Sequence, residues 1–141
     1  TRPCRCTPQA VSRYRTRISG PLRDRIDLIV EVEPVPISAL SSGPGGDPSA
    51  PVRERVLVAR RLQGQRQSCL NARLGARALH RTGMLDASSR RLLDHSAERL
   101  QLSARAYHRV QRVARTIADL AGLAQVLEAH LAEALQYRFV E

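Results

Sequence analysis

Arg17-Ile18-Ser19-Gly20-Pro21-Leu22-Arg23-Asp24-Arg25-Ile26-Asp27-Leu28 places a Gly-Pro turn and a short charged helix end directly before a β-branched, apolar segment. Proline fixes its own φ, so the turn is stiff and Arg25 is held at a rigid junction between elements. A second run, Leu102-Ser103-Ala104-Arg105-Ala106-Tyr107 continuing to Val113-Ala114-Arg115-Thr116-Ile117-Ala118-Asp119-Leu120, puts Arg105 at the start of a strong helix. A guanidinium binds phosphate bidentately, so two arginines at such junctions point to phosphate chemistry.

Outward from these runs the chain reads as mainly helical. Pro8 to about Arg17 is a short helix capped by Thr7, with Pro8 in the first turn where its missing N–H costs nothing. Ile26, Leu28, Val30 and Val32 then alternate with Asp27, Ile29, Glu31 and Glu33, a period of two with Ile29 as the exception, which predicts a strand. A solitary strand cannot satisfy its edges, so this one pairs with strands elsewhere or lies irregularly in their absence. Residues 37–51 are rich in Pro, Gly and Ser and read as a flexible linker. Beyond it four amphipathic helices are expected. They run from about Val52 to Gln67, from Ala87 to Leu100 behind an Asp86 cap, from Ser103 to a stop at Gly122, and from Leu123 to Tyr137. Four helices of this length can close a small core.

The formal net charge is +10, and the chain contains 23 basic residues and no lysine, so all of them are arginine. Phosphate-bearing partners follow from the chemistry of arginine, while a GC-rich coding bias with merely solvated side chains yields the same composition. With no lysine, there is no phosphate loop of the Gly-Lys-Ser/Thr type, and this stretch cannot hydrolyse ATP by that chemistry alone. Few aromatic residues are present, which argues against a base-stacking platform. Neither a membrane-spanning apolar run nor a signal sequence is visible, so the expected location is cytoplasmic. Cys4, Cys6 and Cys69 do not make a disulfide framework, and Cys4-x-Cys6 is at most half of a zinc site; no metal is expected to bind this stretch. The histidines 80, 95, 108 and 130 lack metal-ligand spacing.

Arg13-Tyr14, Ser19-Gly20-Pro21-Leu22, Asp24-Arg25-Ile26-Asp27, Ser103-Ala104-Arg105 and Ala114-Arg115-Thr116-Ile117-Ala118-Asp119-Leu120 occur in the order and spacing seen in one family. In these features the chain resembles the magnesium-chelatase-like AAA+ ATPases, most closely the ComM (YifB) branch, over about Cys4 to Arg138. The resemblance implies the C-terminal part of such an ATPase, with the phosphate loop and Mg²⁺-binding strand upstream. It implies that residues 1–36 are the last helix and strand of the α/β core, that 37–51 are the linker, and that 52–141 form the helical lid.

The resemblance also implies roles. Arg25 matches the arginine of the family's Pro-Leu-Leu-Asp-Arg motif, an arginine finger that stabilises phosphoryl charge in a neighbouring subunit. Arg23 departs from that motif, where an apolar residue is usual, and leaves the assignment between Arg23 and Arg25 open. A structural ion pair of Arg25 with Asp24 or Asp27 is the competing reading. Arg105 matches sensor 2, reading the nucleotide of its own subunit beside backbone N–H groups that attract anions; otherwise it is a solvated first-turn residue. Arg115 either supports Arg105 or pairs with Asp119 at i+4, the latter being favoured. ATP and Mg²⁺ would be cofactors of the full-length protein, with none expected on this stretch alone. A homo-oligomeric ring, a hexamer, and DNA would be its partners. The reading of a different class is a self-standing arginine-rich helical module that binds nucleic acid through its phosphates.

Overall fold

The computed structural model describes residues 4–42, 45–82 and 85–138. Its helices are α1 (Pro8–Arg15), α2 (Gly20–Arg23), α3 (Ile37–Ser42), α4 (Ser49–Gln67), α5 (Ala76–Thr82), α6 (Ala87–Arg99), α7 (Ala104–Leu120) and α8 (Glu128–Gln136), with a 3-10 turn at Asn71–Arg73. Among the described residues there is no strand, only an isolated parallel bridge between Leu85 and Val126. The mainly helical bundle is the architecture expected of a lid.

Local signals set several helix ends. Thr7 Oγ1 accepts from Ala10 N at 3.3 Å, Asp86 Oδ1 from Ser89 N at 2.7 Å, and Ser103 Oγ from Ala106 N at 3.2 Å. Each such cap is worth about 1 kcal/mol. Bonds from the Ser89 and Ser88 donors hold the Asp86 carboxyl below its ordinary value. At the other end of α7, Gly122 adopts φ +71°. Gly122 N donates to Asp119 O and Leu123 N to Ala118 O, the paired bonds that close a helix through a left-handed residue. Helix α6 closes the same way, with Gln101 at φ +48°.

α7 is the centre of the bundle and packs against α4, α5, α8 and the 3-10 turn. Ala106, Val110, Ala114 and Ala118 repeat every four residues along one buried stripe. Val110, Ala114 and Ala118 join Leu93, Val126, Leu131 and Ala134 in the core. The alanines on both sides let α7 and α8 approach closely, and each fully buried leucine adds about 1.5–3 kcal/mol.

Three expectations change. The strand over Ile26–Val32 is not formed: Leu28, Val30 and Val32 are exposed, as an extended segment without neighbouring strands must be. The stretch read as linker contains α3, and α4 begins at Ser49 rather than Val52; Gly43 and Pro44 of that stretch lie outside the described residues. The last helix starts at Glu128, not Leu123, because residues 123–127 form the connection from α7. There the Leu127 N–H donates to His130 Nδ1 at 3.1 Å, so His130 is a helix-end acceptor.

Candidate functional site

Residues 24–29 follow α2 and lie against the start of α7 and the end of α8. Gly20 and Pro21 begin the single turn of α2, and Arg25 N and Ile26 N donate to Leu22 O and Arg23 O in a tight exit. Ser103 caps α7 and also donates from Oγ to Asp24 Oδ2 at 2.7 Å. Arg138 spans the other side of the loop. It donates through Nη1 to Ile26 O at 2.7 Å and through Nη2 to Asp24 Oδ1 at 3.5 Å. Arg109, on α7, forms an ion pair with Asp27. Ile29 N donates to Tyr137 O at 2.9 Å. The carboxylate of Asp24 therefore sits at the positive end of the α7 dipole, where negative charge is favoured.

Arg25 and Arg105 flank this junction. Both are exposed, and among the described residues neither makes a side-chain hydrogen bond or ion pair. The competing ion pair for Arg25 is not formed, because Asp24 is engaged by Ser103 and Arg138 and Asp27 by Arg109. Arg23 is likewise exposed and lines a cavity of about 250 Å³ with Asp24, Gln101, Ser103, Ala106 and Arg138. Two exposed guanidinium groups, one after a stiff turn and one in the first turn of a long helix, can meet an external anion.

Arg115 does not reach Arg105. It is fully buried, with Nη2 2.9 Å and Nε 3.1 Å from Asp119 Oδ1, and it donates to the carbonyls of Leu123 and Ala124. Burial lowers its pKa against the opposing pull of Asp119. Arg66 reaches the same carboxylate from α4 in a fork of 2.7 and 2.8 Å. Asn71 adds a bond of 2.8 Å to Asp119 Oδ2 and one of 3.0 Å to Thr116 Oγ1. Burial would raise the Asp119 carboxyl, but the bonds from Arg66 and Asn71 and the charges of Arg115 and Arg66 outweigh it and hold it below its ordinary value. This cluster fastens α4 and the α7–α8 connection to α7.

The tethers at Arg109, Arg138 and Ser103–Asp24 were not foreseen from sequence. The i,i+3 pair Asp24 and Asp27 was the visible signal, but its partners lie 79 to 114 residues away. Cys4 and Cys6 are exposed and free; the Cys4 thiol is held below its ordinary value by hydrogen bonds to Cys6. Among the described residues no group of three or more His, Cys, Asp or Glu is placed to hold a metal, and no helix is long and apolar enough to cross a membrane.

The family model "Magnesium chelatase, subunit ChlI C-terminal" matches residues 46–138, and "Magnesium chelatase, subunit ChlI" matches residues 1–40. The chain is 44% identical over 135 residues to competence protein ComM of Haemophilus influenzae, covering 95% of this chain and 26% of that protein. It is 41% identical over 138 residues to YifB of Salmonella typhimurium and 39% over 138 residues to YifB of Escherichia coli, each comparison covering 97% of this chain and 27% of the relative. The chain thus spans about a quarter of the length of these curated relatives. Since the C-terminal family model covers the greater part of it, this chain belongs to the magnesium chelatase subunit ChlI family.

Proposed function

We propose that the chain is the C-terminal part of a ComM-type AAA+ ATPase. Residues 1–36 end the ATPase core, 37–51 connect it to the lid, and 52–141 are the lid. Arg25 serves as the arginine finger and Arg105 as the nucleotide sensor at ATP sites of a homohexameric ring. ATP and Mg²⁺ are bound mainly by the upstream part of the protein, and the ring acts on DNA in the cytoplasm during competence or recombination.

The observation that carries this reading is where two arginines unpaired among the described residues stand: Arg25 just past α2 and Arg105 in the first turn of α7, the helix whose cap holds Asp24. Arg66, Arg109, Arg115 and Arg138 are consumed by carboxylates, whereas Arg25 and Arg105 stand exposed at one junction with no partner among the described residues. A catalytic arginine has to be available for a charge that arrives with the nucleotide. Arg105 also stands beside the α7 N-terminus, whose dipole attracts phosphate oxygens.

The test is Arg105→Ala in the full-length ATPase. Loss of one charge-assisted contact to the γ-phosphate, about 1.5–3 kcal/mol, should lower ATP turnover roughly 10- to 100-fold. Affinity for ADP, which has no γ-phosphate, should stay near wild type. Unchanged turnover would remove Arg105 from the site.

A further inference from the structure

We infer that the lid positions the arginine finger of its own chain, with Arg138 and Arg109 as positioning residues for ATP hydrolysis. This inference rests on the reading of Arg25 as the finger. Arg25 makes no side-chain bond among the described residues, so its direction follows from the contacts of residues 24–29 that carry it. Among the described residues, the tethers on that segment beyond its local turn come from the lid: Ser103 and Arg138 on Asp24, Arg138 on the Ile26 carbonyl, Arg109 on Asp27, and the Tyr137 carbonyl on Ile29 N–H.

Arg138 is built for this task. Its side chain is only 7% exposed, and its two terminal nitrogens grip the loop on both sides of Arg25, at Asp24 and Ile26. A planar fork fixes direction as well as distance, which a lysine ammonium cannot do. Arg109, 17% exposed against the 52% of Asp27, supplies the second anchor from α7. Asp24 is hydrogen-bonded to the cap of the helix that bears Arg105. Finger and sensor therefore move as one body, and a nucleotide that shifts α7 also swings Arg25.

In the full-length ATPase, Arg138→Ala should lower kcat about 10- to 100-fold, since misplacement of a catalytic group by about 1 Å costs that much. KM for ATP should change less than about twofold, as expected for a contact made only in the transition state. Asp27→Arg and Arg109→Asp should each lower kcat, and the double charge reversal should recover at least about half of the loss by restoring the pair. Hydrogen exchange should show the Ile29 amide losing protection in Arg138→Ala while the amides of α7 keep theirs, separating a released loop from a melted lid. Wild-type kcat in Arg138→Ala and in both single charge reversals, with Arg25→Ala inactive, would overturn the positioning role alone. So would a double reversal no better than the singles. Wild-type kcat in Arg25→Ala would overturn the finger assignment and this inference with it.

Discussion

Arg25→Ala in the full-length ATPase is expected to lower turnover by roughly 10³- to 10⁵-fold, the effect of losing an arginine finger. The loss should be recoverable in trans. A subunit carrying Arg25→Ala keeps an intact nucleotide pocket and damages only its neighbour's. Mixed with a phosphate-loop variant that keeps its own Arg25, it should form rings in which some intact pockets meet an intact finger. Steady-state ATPase of the mixture should then rise well above that of either variant alone. If the mixture stays at background although the subunits exchange, Arg25 does not act across the interface. The same measurement on Arg23→Ala decides the ambiguity left by the guanidinium two positions upstream. Arg23 is exposed and unpaired among the described residues too, but it precedes the tethered segment, so near-normal turnover is expected of that variant.

The second large effect concerns stability. Asp119→Ala removes the carboxylate that neutralises Arg66 and the fully buried Arg115. Breaking a buried charge pair by removing one partner costs about 3–5 kcal/mol, a large part of the 5–15 kcal/mol typical of a whole domain. Urea unfolding of this chain followed by circular dichroism should show the midpoint falling accordingly. Arg115→Met combined with Asp119→Leu should lose less than Asp119→Ala alone, because it removes a buried cation along with its anion. The pH dependence has a definite sign. The Asp119 carboxyl is held low in the folded chain, so its stabilisation is complete above the unfolded value of about 3.9. It is lost as pH falls through the lower folded value, and Asp119→Ala should flatten the acid limb of the stability profile. An acid limb as steep as in the wild type would show that other carboxylates govern it.

The parts legible in the sequence are those decided within a few residues. Thr7, Asp86 and Ser103 cap the helices they were expected to cap, and Gly122 ends α7 in the left-handed conformation it was chosen for. The pairing of Arg115 with Asp119 followed from a spacing of four. What escaped was non-local. Alternation along Ile26–Val32 describes a strand only if neighbours supply the ladder, and none lies among the described residues. α5 is too short, at Ala76–Thr82, for a helical period to stand out. Arg66 and Asp119 are 53 positions apart, so no local pattern announces their fork. At the candidate site, Arg25 and Arg105 came from motif order, whereas Arg138 and Arg109 became visible only when the loop was seen against the lid.

α4 fully buries just Ala59 and Gln63, and neither joins the apolar cluster around α7 and α8; it is fastened by the Arg66–Asp119 fork and the hydrogen bonds around Asn71. Heat capacity and denaturant response both scale with the surface exposed on opening, and the heat-capacity rise comes from its apolar part. Detaching α4 should therefore carry a small heat-capacity change and a shallow urea slope, while separating α7 from α8 should carry large ones. Native-state hydrogen exchange would then divide the lid into two classes of amide by their slopes against urea. Between these helices the bundle is expected to come apart in two calorimetrically distinct ways, one governed by directed bonds and the other by water's exclusion from the alanine and leucine seam.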